Sequence, residues 1–161
     1  MTPIGWEVTV RIPMRLQVLP NLRKSRFAHA RVIADTRRIV GLELQVQARP
    51  FRREWEVMKS NPRLRLQVLQ VRSGPKVLDD DNLTAAFKPA RDAVATFFGI
   101  DDGRRDRWVW LPCEQQLGDF AVRIHIAVVV TYDDYPNPKE QNAIIRRIKK
   151  SRITPNVRKP R

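Results

Sequence analysis

The chain has little cysteine and little histidine. Cys113 is its single thiol, and His29 and His125 are its two imidazoles. One thiol excludes an intrachain disulfide, and an intracellular setting fits. The same scarcity leaves no ligand spacing for zinc. Glycine is sparse as well, six in all, and none lies in a Gly-rich phosphate loop. No apolar run is long enough to span a membrane, and the N-terminus lacks a signal-peptide pattern. The sequence therefore predicts a soluble, cytoplasmic protein with no membrane attachment.

Acids are also in short supply. The 17 Asp and Glu face 31 Lys and Arg, a formal net charge of +14. An excess of that size implies a polyanionic partner, most often nucleic acid. The bland alternative is a charge that serves only solubility or assembly. With 161 residues and 42% hydrophobic content, the chain can bury a real core in one domain with a tail. The expected division is a domain over 1–135 and a basic C-terminal helix and tail over 136–161.

Along the chain, Trp6 to Val18 reads as a strand. Trp6, Val8, Val10 and Ile12 alternate with polar residues, and Pro13 ends it, bulges it or marks an edge. Leu19-Pro20-Asn21 is a turn. A helix is expected from about Ser25 to Arg38, with Leu42, Leu44 and Val46 ambiguous between helix and strand. Residues 49 to 62 contain two X-Pro steps and read as a loop with a short helical turn around Trp55. Arg63 to Val71 alternates as a strand with one wet face.

From Leu83, the residues Leu83, Phe87, Ala90, Val94 and Phe97 make one apolar helical stripe. Pro89 interrupts it and should kink or restart the helix. Gly99 suits a C-cap. Trp108 to Leu111 and Phe120 to Thr131 read as strands forming a hairpin or meander, with a turn at Gly118-Asp119 between them. The predicted fold is α+β: a mixed or antiparallel sheet of about four strands with helices packed on one face.

Two places concentrate the few acids. Asp79, Asp80 and Asp81 precede the predicted helix, and Asp101 and Asp102 follow it. Like charges are packed together most readily where a cation binds. Mg²⁺ takes oxygen ligands, commonly carboxylates with water and substrate phosphate. If 79–81 is extended, Asp79 and Asp81 point to one side. Asp102 would join them if the two flanking loops return to one site. Lys88 falls on the polar face of the same helix and is a catalytic candidate, since it or an Arg could stabilise the charge that builds at the phosphate under attack. The plainer reading makes Asp79–Asn82 a helix N-terminus and Asp101-Asp102-Gly103 a turn. For phosphate contacts, the candidates are Arg23, Lys24 and Arg26 near the first helix. Arg146, Arg147, Lys149 and Lys150 are the candidates in the basic segment.

Asp79-x-Asp81-Asn82-Leu83, an Ala-rich helix with Lys88 and Asp92-Ala93-Val94, and then Asp101-Asp102 together resemble the RusA-type Holliday-junction resolvases, especially phage-borne members. The resemblance spans about Leu78 to Asp102. It implies a RusA-like α+β fold and a Mg²⁺-dependent endonuclease, with Mn²⁺ able to substitute. Such an enzyme acts as a homodimer and resolves four-way DNA junctions by paired phosphodiester cleavage in recombination and repair. It also implies Asp79, Asp81 and Asp102 as catalytic, metal-binding acids. The family's lysine lies four residues after the second Asp, which here is Ala85; Lys88 sits three further on. Two other readings compete with this one. They are a noncatalytic nucleic-acid-binding factor whose Asp runs are only caps, and an RNA-binding accessory protein.

Overall fold

The computed structural model describes residues 3–17 and 25–130. Chain order is β1 (Pro3–Ile12), α1 (Arg26–Gln47), α2 (Arg49–Met58), β2 (Leu64–Gly74), α3 (Asp80–Phe98), β3 (Trp108–Trp110), β4 (Glu114–Leu117) and β5 (Ala121–Val130). The class is α+β, as expected, with a mixed sheet of five strands rather than about four. The predicted turn at 19–21 and the basic helix and tail of 136–161 lie outside the described residues.

Alternation builds the sheet. In β1, Val10 and Ile12 are buried while Glu7 and Arg11 are exposed. The strand stops at Ile12, before Pro13, so residues 13–17 of the expected strand are not part of it, and Val18 lies outside the described residues. It pairs antiparallel with β5, which pairs antiparallel with β2. On the other side of β2, both β3 and β4 pair with it in parallel. The expected hairpin between Trp108–Leu111 and the last strand is therefore not formed, because β2 lies between them. Nor does β2 keep a wet face: from Leu66 to Gly74 every residue is buried. Leu69 and Val71, on the face opposite the main core, form a second small cluster with Leu111.

The helices deviate from expectation where tertiary packing outweighs local pattern. α1 begins with Ser25 as N-cap, its Oγ accepting from Ala28 N at 3.4 Å. It continues through the ambiguous stretch, burying Thr36, Val40 and Leu44 at a spacing of four. The alternating Leu42 and Val46 are left outside, 51% and 77% exposed. Residues 49–58, read as loop, form α2. Pro50 is tolerated in its first turn, where no intrahelical N–H is needed, and Phe51 and Trp55 face the core.

α3 keeps its predicted stripe buried and runs unbroken through Pro89. It ends at Gly99 with φ +67°, and Ile100 N returns to Ala95 O at 3.1 Å. The buried faces of all three helices share one core with Leu64, Leu66, Val68, Val122, Ile124 and Ile126. Phe98 lies at its centre, edge-on to Phe51, Trp55, Phe97 and Trp108. Among the described residues, no helix is long and apolar enough to cross a membrane.

Candidate metal and nucleic-acid site

Parallel strands cannot be joined by a tight turn; they need a crossover, usually a helix. α3 is that crossover between β2 and β3. It starts beyond the C-terminal end of β2 and returns to the end where β3 begins. This places Asp79, Asp80 and Asp81 at one end of α3 and Asp101 and Asp102 at the other. Nineteen helical residues at about 1.5 Å each separate those ends by about 28 Å. The expected convergence of Asp79, Asp81 and Asp102 within one chain is therefore not found. Among the described residues, no group of three His, Cys, Asp or Glu is placed to hold a metal ion.

At the first end, Asp79 is the N-cap, with extended backbone at φ −67° and ψ 160°. Its Oδ1 accepts from Asn82 N at 2.8 Å, and its Oδ2 from Asn82 Nδ2 at 2.6 Å. The Asn82 main-chain N–H, followed by its side-chain amide, holds the Asp79 carboxyl below its ordinary value. The helix already includes Asp80 and Asp81. The extended 79–81 segment predicted from the spacing is thus replaced by a cap and a first helical turn. All three carboxylates belong to exposed residues, and acids there complement the helix dipole.

The loop leading into these acids is clamped from two strands. Gln115 of β4 accepts from Leu78 N at 2.8 Å and donates to Leu78 O at 2.6 Å. Arg72 of β2 donates from Nη1 to Lys76 O at 2.7 Å. Sequence reading missed both residues. Arg72 lies just past the predicted strand, which ended at Val71, and Gln115 lies between the last two predicted strands, ahead of the turn at Gly118-Asp119.

Lys88 follows Asp81 by seven residues, about 10 Å along the axis and nearly in line on the same face. It is exposed and reaches Asp92 at 3.5 Å. Arg37 of α1 pairs with the same carboxylate, so this polar face ties α1 to α3. At the far end, Asp101 Oδ1 accepts from Gly103 N at 2.8 Å. The Asp101 and Asp102 carbonyls accept from the indoles of Trp108 and Trp110, at 2.9 and 3.2 Å. The two indoles stack, centroids 4.7 Å apart, and the Arg91 guanidinium lies 4.3 Å from the Trp110 ring centroid. Asp102 is thereby fixed, half-buried, at the end of α3 away from Asp81.

Of the expected phosphate contacts, Arg26 is the exposed first residue of α1. Arg23, Lys24, Arg146, Arg147, Lys149 and Lys150 lie outside the described residues. Compared with known proteins, the chain matches no protein-family model and no curated protein sequence.

Proposed function

We propose that this protein is a Mg²⁺-dependent, structure-specific DNA endonuclease of the RusA type, acting on four-way junctions in recombination and repair. The observation that carries the reading is the strand-to-helix junction at Asp79–Asp81. Three exposed carboxylates are gathered there at the N-terminus of α3, just beyond a clamped loop, in a chain of net charge +14. Their oxygens suit a hard cation, which typically takes one or two protein carboxylates and completes its shell with water and phosphate. Such an ion supplies charge neutralisation at the phosphodiester being cut.

The chain's own residues have separate tasks in this reading. Gln115 and Arg72 hold the acid loop in place. Lys88, tied to Asp92, contributes positive charge along the helix rather than at the acids. Arg26, with Arg23, Lys24 and the basic segment containing Arg146, Arg147, Lys149 and Lys150, holds backbone phosphates. Junction shape, more than base edges, sets specificity. Because α3 keeps Asp102 away from Asp79 and Asp81, the third acid comes from a second copy. The working unit is a homodimer, with each site built from the Asp79/Asp81 end of one chain and the Asp102 end of its partner.

The test is cleavage of a synthetic four-way junction in Mg²⁺. Asp81→Asn and Asp102→Asn should each be inactive, while a mixture of the two, refolded together, should recover part of the activity. Recovery is expected because mixed dimers hold one intact site. An inactive mixture, with both single variants bound to DNA, would refute the shared site.

One observation favours a second reading, a noncatalytic nucleic-acid-binding protein. Both Asp79 oxygens are already engaged by Asn82 as a helix cap. Tight junction binding with no cleavage in Mg²⁺ or Mn²⁺ is the result that reading expects.

A further inference from the structure

The strand that leads to Asp79 also carries an arginine with no carboxylate ion pair among the described residues. Arg72 stands near the C-terminal end of β2 and is 5% exposed. Its Nη1 bonds to Lys76 O, and its Nε is buried without a hydrogen-bond partner among the described residues. Among the described residues no carboxylate forms an ion pair with it. The fork lies against Gly74, where a Cβ would come within 2.7 Å of Nη2 and 3.0 Å of Cζ. The glycine leaves the space that the guanidinium occupies.

A second arginine reaches the same corner of the sheet: Ile12 and Arg72 both pair with Val122, and Arg15 lies three residues beyond Ile12. Arg15, on the segment after β1, is exposed, with its guanidinium 5.2 Å from the Phe120 ring centroid. It too lacks a carboxylate partner among the described residues. Burial lowers the Arg72 pKa, and the charge of Arg15 lowers it further.

Burying one guanidinium beside another is unfavourable unless an anion completes the arrangement. A guanidinium fork matches two oxygens of a phosphate. The location gives this a use. Arg72 holds Lys76 O, three residues before Asp79, and pairs in register with Gln115, which grips Leu78. Cations and acids thus flank one short loop.

We propose that Arg72 and Arg15 form a phosphate subsite at the C-terminal end of β2, taking a backbone phosphate of a nucleic acid. Only the further statement, that this phosphate neighbours the one presented to Asp79 and Asp81, rests on the nuclease reading. Arg72 supplies the buried fork, and Arg15 adds an exposed positive charge beside it.

Two probes in EDTA test this on the full chain: inorganic phosphate and a fluorescent four-way DNA junction. Phosphate should raise the melting temperature above that in chloride at equal ionic strength, and Arg15→Gln should remove most of that rise. Arg15 is exposed, so the variant is expected to fold. In anisotropy titrations, Arg15→Gln should reduce the slope of log K against log salt by about one. Arg72→Lys, which keeps the charge and loses the fork, should weaken junction binding several-fold. Equal salt slopes for wild type and Arg15→Gln overturn the proposal, even if phosphate still stabilises, since the site would then hold only a free anion. With no metal present, that failure leaves the nuclease reading standing. Conversely, absence of cleavage in Mg²⁺ leaves the subsite standing.

Discussion

Gln115 grips the main chain of Leu78 with both ends of its amide, Oε1 accepting from the N–H at 2.8 Å and Nε2 donating to the carbonyl at 2.6 Å. The pair is partly buried, so neither bond is readily replaced by water. Gln115→Ala should cost about 1–2 kcal/mol in urea unfolding. Because Leu78 adjoins Asp79, the variant should also need more Mg²⁺ for half-maximal cleavage, with metal-free DNA binding unchanged. A stability loss with an unaltered Mg²⁺ requirement would limit Gln115 to folding.

Asp79 has a structural task that can be separated from any metal task. Asn also caps helices well and Ala does not. Melting temperature should stay near wild type in Asp79→Asn and fall in Asp79→Ala, while junction cleavage is lost in both. If Asp79→Asn cuts at the wild-type rate, Asp79 is a cap and nothing more.

Acid titration should expose two carboxyls. The Asp79 pKa is depressed by Asn82, and that of Asp106 is drawn down to about 2, first by its hydrogen bonds to Arg104. A depressed folded value means stability that is fully present above the ordinary carboxyl value of 3.8. It is lost as pH falls through the folded value. Carboxyl ¹³C shifts should show Asp106 titrating near 2 in the wild type. In Arg104→Gln it should titrate closer to its ordinary value.

Phe98 touches four aromatic rings edge-on and is 1% exposed. Phe98→Ala should cost about 3–5 kcal/mol in denaturant unfolding, through lost burial and the cavity left behind. Trp108 is one of those rings and its indole holds Asp101 O. Its fluorescence should therefore report the loosening at the Asp102 end of α3.

Residues 139–161 hold nine Lys or Arg and one acid. Deleting them should weaken junction binding and flatten its salt dependence, by about 0.9 in slope for each phosphate contact removed. An unchanged slope would place the segment outside the complex.

The regular elements were legible where the apolar period matched the final environment. Leu83, Phe87, Ala90, Val94 and Phe97 are all buried, and the alternation of the last strand matches β5. The pattern misled where packing decided. Leu42, Leu44 and Val46 alternate like a strand, yet they continue α1 because Leu44 follows Val40 by one helical turn onto the core. Pro50 looked like a loop residue, but a proline in a first turn marks a helix start equally well. The site was legible as residue types and not as a place. Asp79 and Asp81 were visible as a cluster, but their distance from Asp102 follows from β2 and β3 being parallel, and no local signal announces parallel pairing. Arg72 and Gln115 act through main-chain carbonyls and amides, which leave no mark in composition.

The length of α3 sets how such a protein would behave at different abundances. On the proposed reading, a solitary copy bound to DNA is harmless, because neither end of its long helix makes a complete cutting centre. Where dimers are scarce, cutting should grow with the square of protein concentration. Dilution alone would then guard the genome, with no inhibitor required.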